Sequence, residues 1–269
     1  MTYTEPVSKL LKQGRPNGPW LDYLALGITK ENIPELIRLV EDDELRLLAR
    51  PEGEDAPEWY AQVHAWRALA KLRAEAAIPA LLGILHQIDD DNDDWLASDA
   101  EEVFRLLGIP AVEPLAAYLA DKGNPMYARA AAGSALAEIG RLHPQAREGC
   151  IKGIAAVLEN YESNDEGLNG FLIGDLVKLQ AVEEIDLIRH AFAAEAVDES
   201  IYGDVEDVQI QLGLLKERLT PERPWRFLSP EPDLEEPLDS PKRLDPKQKK
   251  EKNKRKQEKK SRKRNRRKR

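Results

Sequence analysis

Few residues in this 269-residue chain are of the types that do covalent chemistry, and their spacing points away from catalysis. The four histidines are His64, His86, His143 and His190. None lies four residues from another and none is followed by glutamate, so no pair shares a helical face one turn apart, as a metal site on one helix requires. The single cysteine, Cys150, excludes an intrachain disulfide and a cysteine-built zinc site; its apolar helical surroundings predict a buried, inert thiol. The densest set of oxygen ligands is Asp89-Asp90-Asp91-Asn92-Asp93-Asp94. Asp90, Asn92, Asp94 and Glu101 match the first, third, fifth and twelfth positions of a calcium loop. The sixth is Trp95, where the sharp turn demands glycine, and Glu101 belongs to the next helix, so calcium is not expected. No GxSxG, P-loop or dinucleotide-binding glycine pattern occurs. The residues predict no catalytic centre, no cofactor and no metal.

Charge divides the chain. From Lys242 to Arg269 there are 18 Lys/Arg and three acids; the remaining 22 basic and 46 acidic residues give the preceding part a net charge of −24. Beyond Lys247 no aliphatic or aromatic residue occurs, so 247–269 is predicted to be a disordered polycation. Its candidate polyanion contacts are Lys249, Lys250, Lys252, Lys254, Arg255, Lys256, Lys259, Lys260, Arg262, Lys263, Arg264, Arg266, Arg267, Lys268 and Arg269. Such a run binds phosphates by counterion release with little base preference, and RNA or a ribosome-like particle is the expected partner. No aromatic residue interleaves with the cations, so stacking on single-stranded bases is not supported. Residues 219–246 read as an acidic, proline-rich linker in which the apolar 224–228 stretch either caps the folded part or serves as a partner-binding peptide.

The elements that would position any site are repeated helices. Ala61, Ala65, Leu69 and Leu72 are spaced by four, four and three, and so are Leu96, Ala100, Phe104, Leu107; Ala128, Ala132, Leu136, Ile139; and Leu168, Leu172, Leu176, Leu179. That spacing places each set on one face of a helix. A weaker copy ends in Val208, Leu212 and Leu215, with Asp204 in the first slot. Second apolar patterns follow: Ile78, Leu81, Leu82, Leu85; Val112, Leu115, Ala116, Leu119; and Ile151, Ile154, Ala155, Leu158. Ile33, Leu36, Ile37, Val40 forms an earlier copy, and Ile185, Ile188, Arg189, Phe192 a later one with a charge in its third slot. Aromatics recur near first-helix starts at Trp20, Trp59, Trp95 and Tyr127, where they read as packing anchors between neighbours. No such pair buries its face alone, so stacking is expected to build an all-α solenoid over 18–218, preceded by a 1–17 arm.

The stretch Arg129-Ala130-Ala131-Ala132-Gly133-Ser134-Ala135-Leu136-Ala137-Glu138-Ile139-Gly140 resembles the bacterial HEAT repeat of the phycobilisome-lyase type. Ala76-Ala77-Ile78-Pro79-Ala80-Leu81-Leu82 is similar to its second helix. The resemblance implies a HEAT-like α-solenoid of five to six helix pairs in a right-handed superhelix. It also implies two enzymatic comparisons that fail on residues: HEAT-fold iron hydroxylases need His-Glu pairs, and HEAT-like DNA glycosylases need a basic concave face. A related layout, a HEAT body followed by a cysteine-rich zinc module, is not matched because those cysteines are missing.

The expected function is a binding scaffold recognising a protein partner. Acids cluster where second helices end, and Asp89, Asp90, Asp91, Asp93 and Asp94 are the candidate contacts along that edge. Two alternatives stay open. One is a phycobilin lyase or a phycobilisome-associated, chaperone-like protein, with Arg38 and Arg189 available to bilin propionates and Arg46 and Arg67 as further candidates. The other has the basic tail folding back on the acidic body. The N-terminus carries no secretory pattern and no apolar run reaches the roughly 20 residues of a membrane span, so a cytoplasmic monomer is expected.

Overall fold

The computed structural model of the chain describes residues 2–46 and 56–221. Met1–Glu222 form one compact unit. The linker from 222 onward, its 224–228 stretch and the basic tail lie outside the described residues.

Among the described residues the protein is all-helical, without a strand. In chain order the α-helices are α1 (Ile33–Val40), α2 (Asp43–Arg46), α3 (Ala61–Lys71), α4 (Ile78–Ile84), α5 (Gln87–Asp90), α6 (Asp94–Leu107), α7 (Val112–Ala120), α8 (Met126–Leu142), α9 (Pro144–Leu158), α10 (Glu166–Lys178), α11 (Ile185–Ala193), α12 (Glu199–Tyr202) and α13 (Val205–Gln211). The first helices α3, α6, α8 and α10 pack each on the next. The second helices α1, α4, α7, α9 and α11 do the same beside them, with α3 against α1, α8 against both α7 and α9, and α10 against α9. Every residue of the four strong first-helix skeletons is buried.

Three of the turns joining first to second helix open on a residue with positive φ, in two backbone forms. After Leu72, Leu107 and Leu179 come Arg73, Gly108 and Gln180, all with φ between 51° and 75°. At Arg73 and Gln180 a left-handed residue lets the next amide reach back into the last turn, Ala74 N–H donating to Leu69 O and Ala181 N–H to Leu176 O; Gly108, with ψ −148°, takes an extended positive-φ form in a connection one residue shorter. A single 3-10 turn follows in each case (Glu75–Ala77, Ile109–Ala111, Val182–Glu184) and leads into α4, α7 or α11.

A second repeated feature is polar. One residue beyond the first apolar position of α3, α8 and α10 stand Gln62, Arg129 and Asn169, all buried. Gln62 Nε2 donates to Val40 O at 2.9 Å and Asp42 O at 3.2 Å. Arg129 Nε donates to Leu119 O at 2.8 Å, and Asn169 Nδ2 to Tyr161 O at 2.9 Å and Ala196 O at 2.7 Å. Carbonyls at and just beyond helix C-termini lack intrahelical donors, and these side chains supply them from a neighbouring helix, the next one for Val40, Leu119 and Tyr161 and the previous one for Ala196. In α6 the equivalent residue is Ala97, and the pattern is interrupted.

Both ends depart from the sequence expectation. Trp20 was expected to open a helix, but residues 20–22 are irregular and 23–27 form turns, so α1 stands as a second helix without its first. The 1–17 arm contributes a 3-10 helix, Val7–Lys12, whose Val7 and Leu10 are fully buried, while Tyr3 Oη donates to Asp42 Oδ2 at 2.5 Å. At the far end Asp204 does not occupy an apolar slot. Its carboxylate N-caps α13, accepting from the Glu206 and Asp207 amides. Among the described residues no single helix is long and apolar enough to cross a membrane.

Candidate partner-binding surface

The residue types that could do chemistry are turned inward. His64 Nε2 lies 2.9 Å from Gly14 O and must carry the proton, leaving Nδ1 to accept from Tyr23 Oη at 3.0 Å. Burial keeps its imidazole below the ordinary histidine range. Cys150 is fully buried, and burial pushes its thiol up to about 11, so it is not a nucleophile near neutral pH. Arg67 lies between the Trp20 and Trp95 rings, 5.2 and 5.5 Å from their centroids. It also pairs with Asp99, which accepts from Trp66 Nε1 at 2.8 Å. Trp95 and Tyr127 meet Tyr60 and Phe171 edge-on, with centroids 6.2 Å apart in both cases.

The acids expected to face a partner divide into two groups. Asp89 accepts from the Tyr127 and Ala128 amides at 3.0 and 2.8 Å, so it caps the start of α8 from another element. Asp91 pairs with Arg46 at 2.6 Å, and Asp93 N-caps α6 through the Leu96 amide. Asp90 and Asp94 are placed on α5 and at the start of α6, and Asp90, with Asp89 and Asp121, surrounds the Tyr118 phenol electrostatically. The second-helix arginines are engaged close to home. Arg38 lies over the Tyr3 ring and donates to Thr2 O at 3.1 Å and Glu35 at 3.3 Å; Arg189 pairs with Asp186 at 3.2 Å. Lys249 through Arg269 lie outside the described residues.

Sequence reasoning missed two features. The first is a shallow cleft of about 650 Å³ between α4 and α7, lined by Glu75, Ile78, Pro79, Leu82, Pro110, Pro114, Ala117, Tyr118, Asp121 and Asn124. Its signal was Pro79, Pro110 and Pro114 recurring where second helices begin. A second cleft, at the starts of α8, α10 and α12, is polar, but its Asp165 and Asp198 carboxylates already cap α10 and α12.

The second missed feature is Asp175 on α10. Its side chain is buried, Oδ2 has no hydrogen-bond partner, and a Cβ at Gly133 of α8 would stand 2.8 Å from that oxygen. Burial pushes the carboxyl up to about 8, against the opposing pull of Ser134 and Lys178. Lys178 is committed outward, bridging Glu101 on α6 at 2.8 Å and Glu138 on α8 at 3.7 Å.

These features define a class: an all-helical protein of consecutively packed helices, its polar chemistry spent on internal joints and an open cleft on its second-helix side. The chain belongs to the family described as protein of unknown function (DUF1186), whose model matches residues 26–222. No curated protein and no solved structure matches it.

Proposed function

We propose that this chain is a non-catalytic binding scaffold, a HEAT-like α-solenoid that reads a protein partner and carries a polybasic tail as a second, sequence-independent contact to RNA or another polyanion. The observation that carries the reading is the repeated joint. Arg73 and Gln180 make the same left-handed turn, and Gln62, Arg129 and Asn169 make the same reach to a preceding carbonyl. Units joined in recurring ways extend along one axis and generate long surfaces, the use to which stacked helix pairs are suited. The titratable groups that an enzyme would deploy, His64 and Asp99 among them, are buried and paired. The tail's 18 cations against three acids, reading from Lys242, support polyanion contact through charge alone.

Affinity capture separates the two surfaces. The full chain and a form lacking 242–269 are used as baits at roughly 0.15 M salt, where the Debye length is about 8 Å, with and without nuclease. Capture of a common protein by both baits, insensitive to nuclease, is the expected result. Capture lost with the tail or with nuclease overturns the solenoid as the specific reader, and no capture by either bait overturns the scaffold reading.

A further inference from the structure

We infer that the cleft between α4 and α7 is a docking site for an extended, positively charged peptide that inserts one apolar side chain. The inference rests on the scaffold reading and gives it a location and a ligand chemistry. The walls are apolar: Ile78 and Leu82 from α4, Pro114, Ala117 and Tyr118 from α7, with Ala117 and Pro79 exposed to solvent. Prolines at 79, 110 and 114 offer ring surface and no N–H, which suits an extended chain laid along the cleft better than a ligand needing donors.

Charge selects the sign of the ligand. Glu75 stands at one end, where α4 begins, and Asp121 at the other, where α7 ends. Asp89, Asp121 and Asp90 all act on the Tyr118 phenol, which burial together with these acids pushes up to about 12. No lining residue is cationic; Lys122 is turned toward Ser163 Oγ at 3.0 Å, and Arg129, which acts on Asp121, is buried with its Nε tied to Leu119 O at 2.8 Å. An anionic segment would meet like charge at the exposed Glu75 and Asp121 and a neutral one would gain nothing from them, whereas lysines or arginines flanking an apolar residue pair with both and fill the middle. The chain's own 247–269 region has the charge but no aliphatic or aromatic residue to serve as the anchor.

The test is a positional-scanning library of dodecapeptides presented to the full-length protein. Enrichment of lysine or arginine on both sides of one leucine, methionine or aromatic residue is expected. The best peptide should weaken at least tenfold on Ala117→Arg, which fills the cleft with a cation at an exposed helical position that tolerates arginine. Glu75→Lys should weaken it severalfold. The assignment is overturned if no peptide saturates below about 1 mM, roughly −4 kcal/mol of binding. It is equally overturned if acidic peptides are enriched, or if neither substitution changes affinity. Self-association abolished by Ala117→Arg would give the cleft to a second copy of the chain and overturn it too. A negative library with partner capture intact in Ala117→Arg removes the cleft alone and leaves the scaffold standing.

Discussion

Arg67 and Asp99 form a two-point ion pair across the α3–α6 interface, Nε to Oδ2 at 2.5 Å and Nη2 to Oδ1 at 3.0 Å, with both side chains less than a tenth exposed. Removing one partner strands a buried charge, whereas removing both lets the site collapse. Asp99→Ala should therefore cost about 3–5 kcal/mol, and the double variant Arg67→Met/Asp99→Leu much less. Urea denaturation of the three proteins measures the difference; an Asp99→Ala loss below about 1 kcal/mol would mean that the pair is effectively solvated.

Asp175 reverses the usual dependence of a carboxylate on pH. Its folded-state pKa, about 8, lies above the unfolded value near 3.9, so the folded protein holds the extra proton between the two. Stability contributed by this group is complete below the unfolded pKa and declines as pH rises toward 8. Asp175→Asn, which mimics the protonated acid, should be more stable than the parent by about 1–3 kcal/mol at pH 8 and indistinguishable from it near pH 4. Thermal melts at the two pH values decide; a gap that widens on acidification would contradict the burial.

Asn169 donates to two carbonyls on different sides, Tyr161 O and Ala196 O, and is fully buried. Asn169→Ala leaves both acceptors dry and should cost about 2–4 kcal/mol, more than the usual single hydrogen bond. Gln62→Ala should behave similarly at the α1–α3 joint. Native-state hydrogen exchange should show faster opening at the ends of α9 and α11 in the first variant, and at the end of α1 in the second.

His64 is neutral in the folded state, with its imidazole held below the ordinary range by burial. The unfolded chain then binds the extra proton, so the stability this group contributes is present above pH 6.5 and is lost as pH falls below it. The His64 ring proton chemical shifts should stay in their neutral-form positions through pH 6.5. A midpoint at or above 6.5 would show that the Tyr23 and Gly14 contacts open in solution.

Much of the helical layout was legible because its signal is periodic. The skeleton Ala128, Ala132, Leu136, Ile139 is fully buried, as its spacing predicts. The Asp204 slot failed for a reason visible afterwards: aspartate followed three residues later by Asp207 is a capping signature, and local hydrogen bonding outranked period. Trp20 failed in the opposite way. It packs against Arg67 from an irregular segment, and a lone aromatic does not reveal whether its backbone is helical. The joint residues Gln62, Arg129 and Asn169 share no side-chain type, only a position and a donor group, so identity-based comparison passes over them. Asp89 reads as a surface charge because its partners, the Tyr127 and Ala128 amides, lie almost forty residues away.

The reach of Gln62, Arg129 and Asn169 back to earlier carbonyls gives the chain a grain. A shortened protein cut just after α7 would lose the Arg129 donor that Leu119 O accepts from and leave that carbonyl to water, while one cut after α8 would keep the bond. Natural or engineered deletions should therefore be tolerated in blocks that start on a second helix and stop on a first one. Melting should likewise spread inward past α10 and α8, each loss stripping a donor from the element before it.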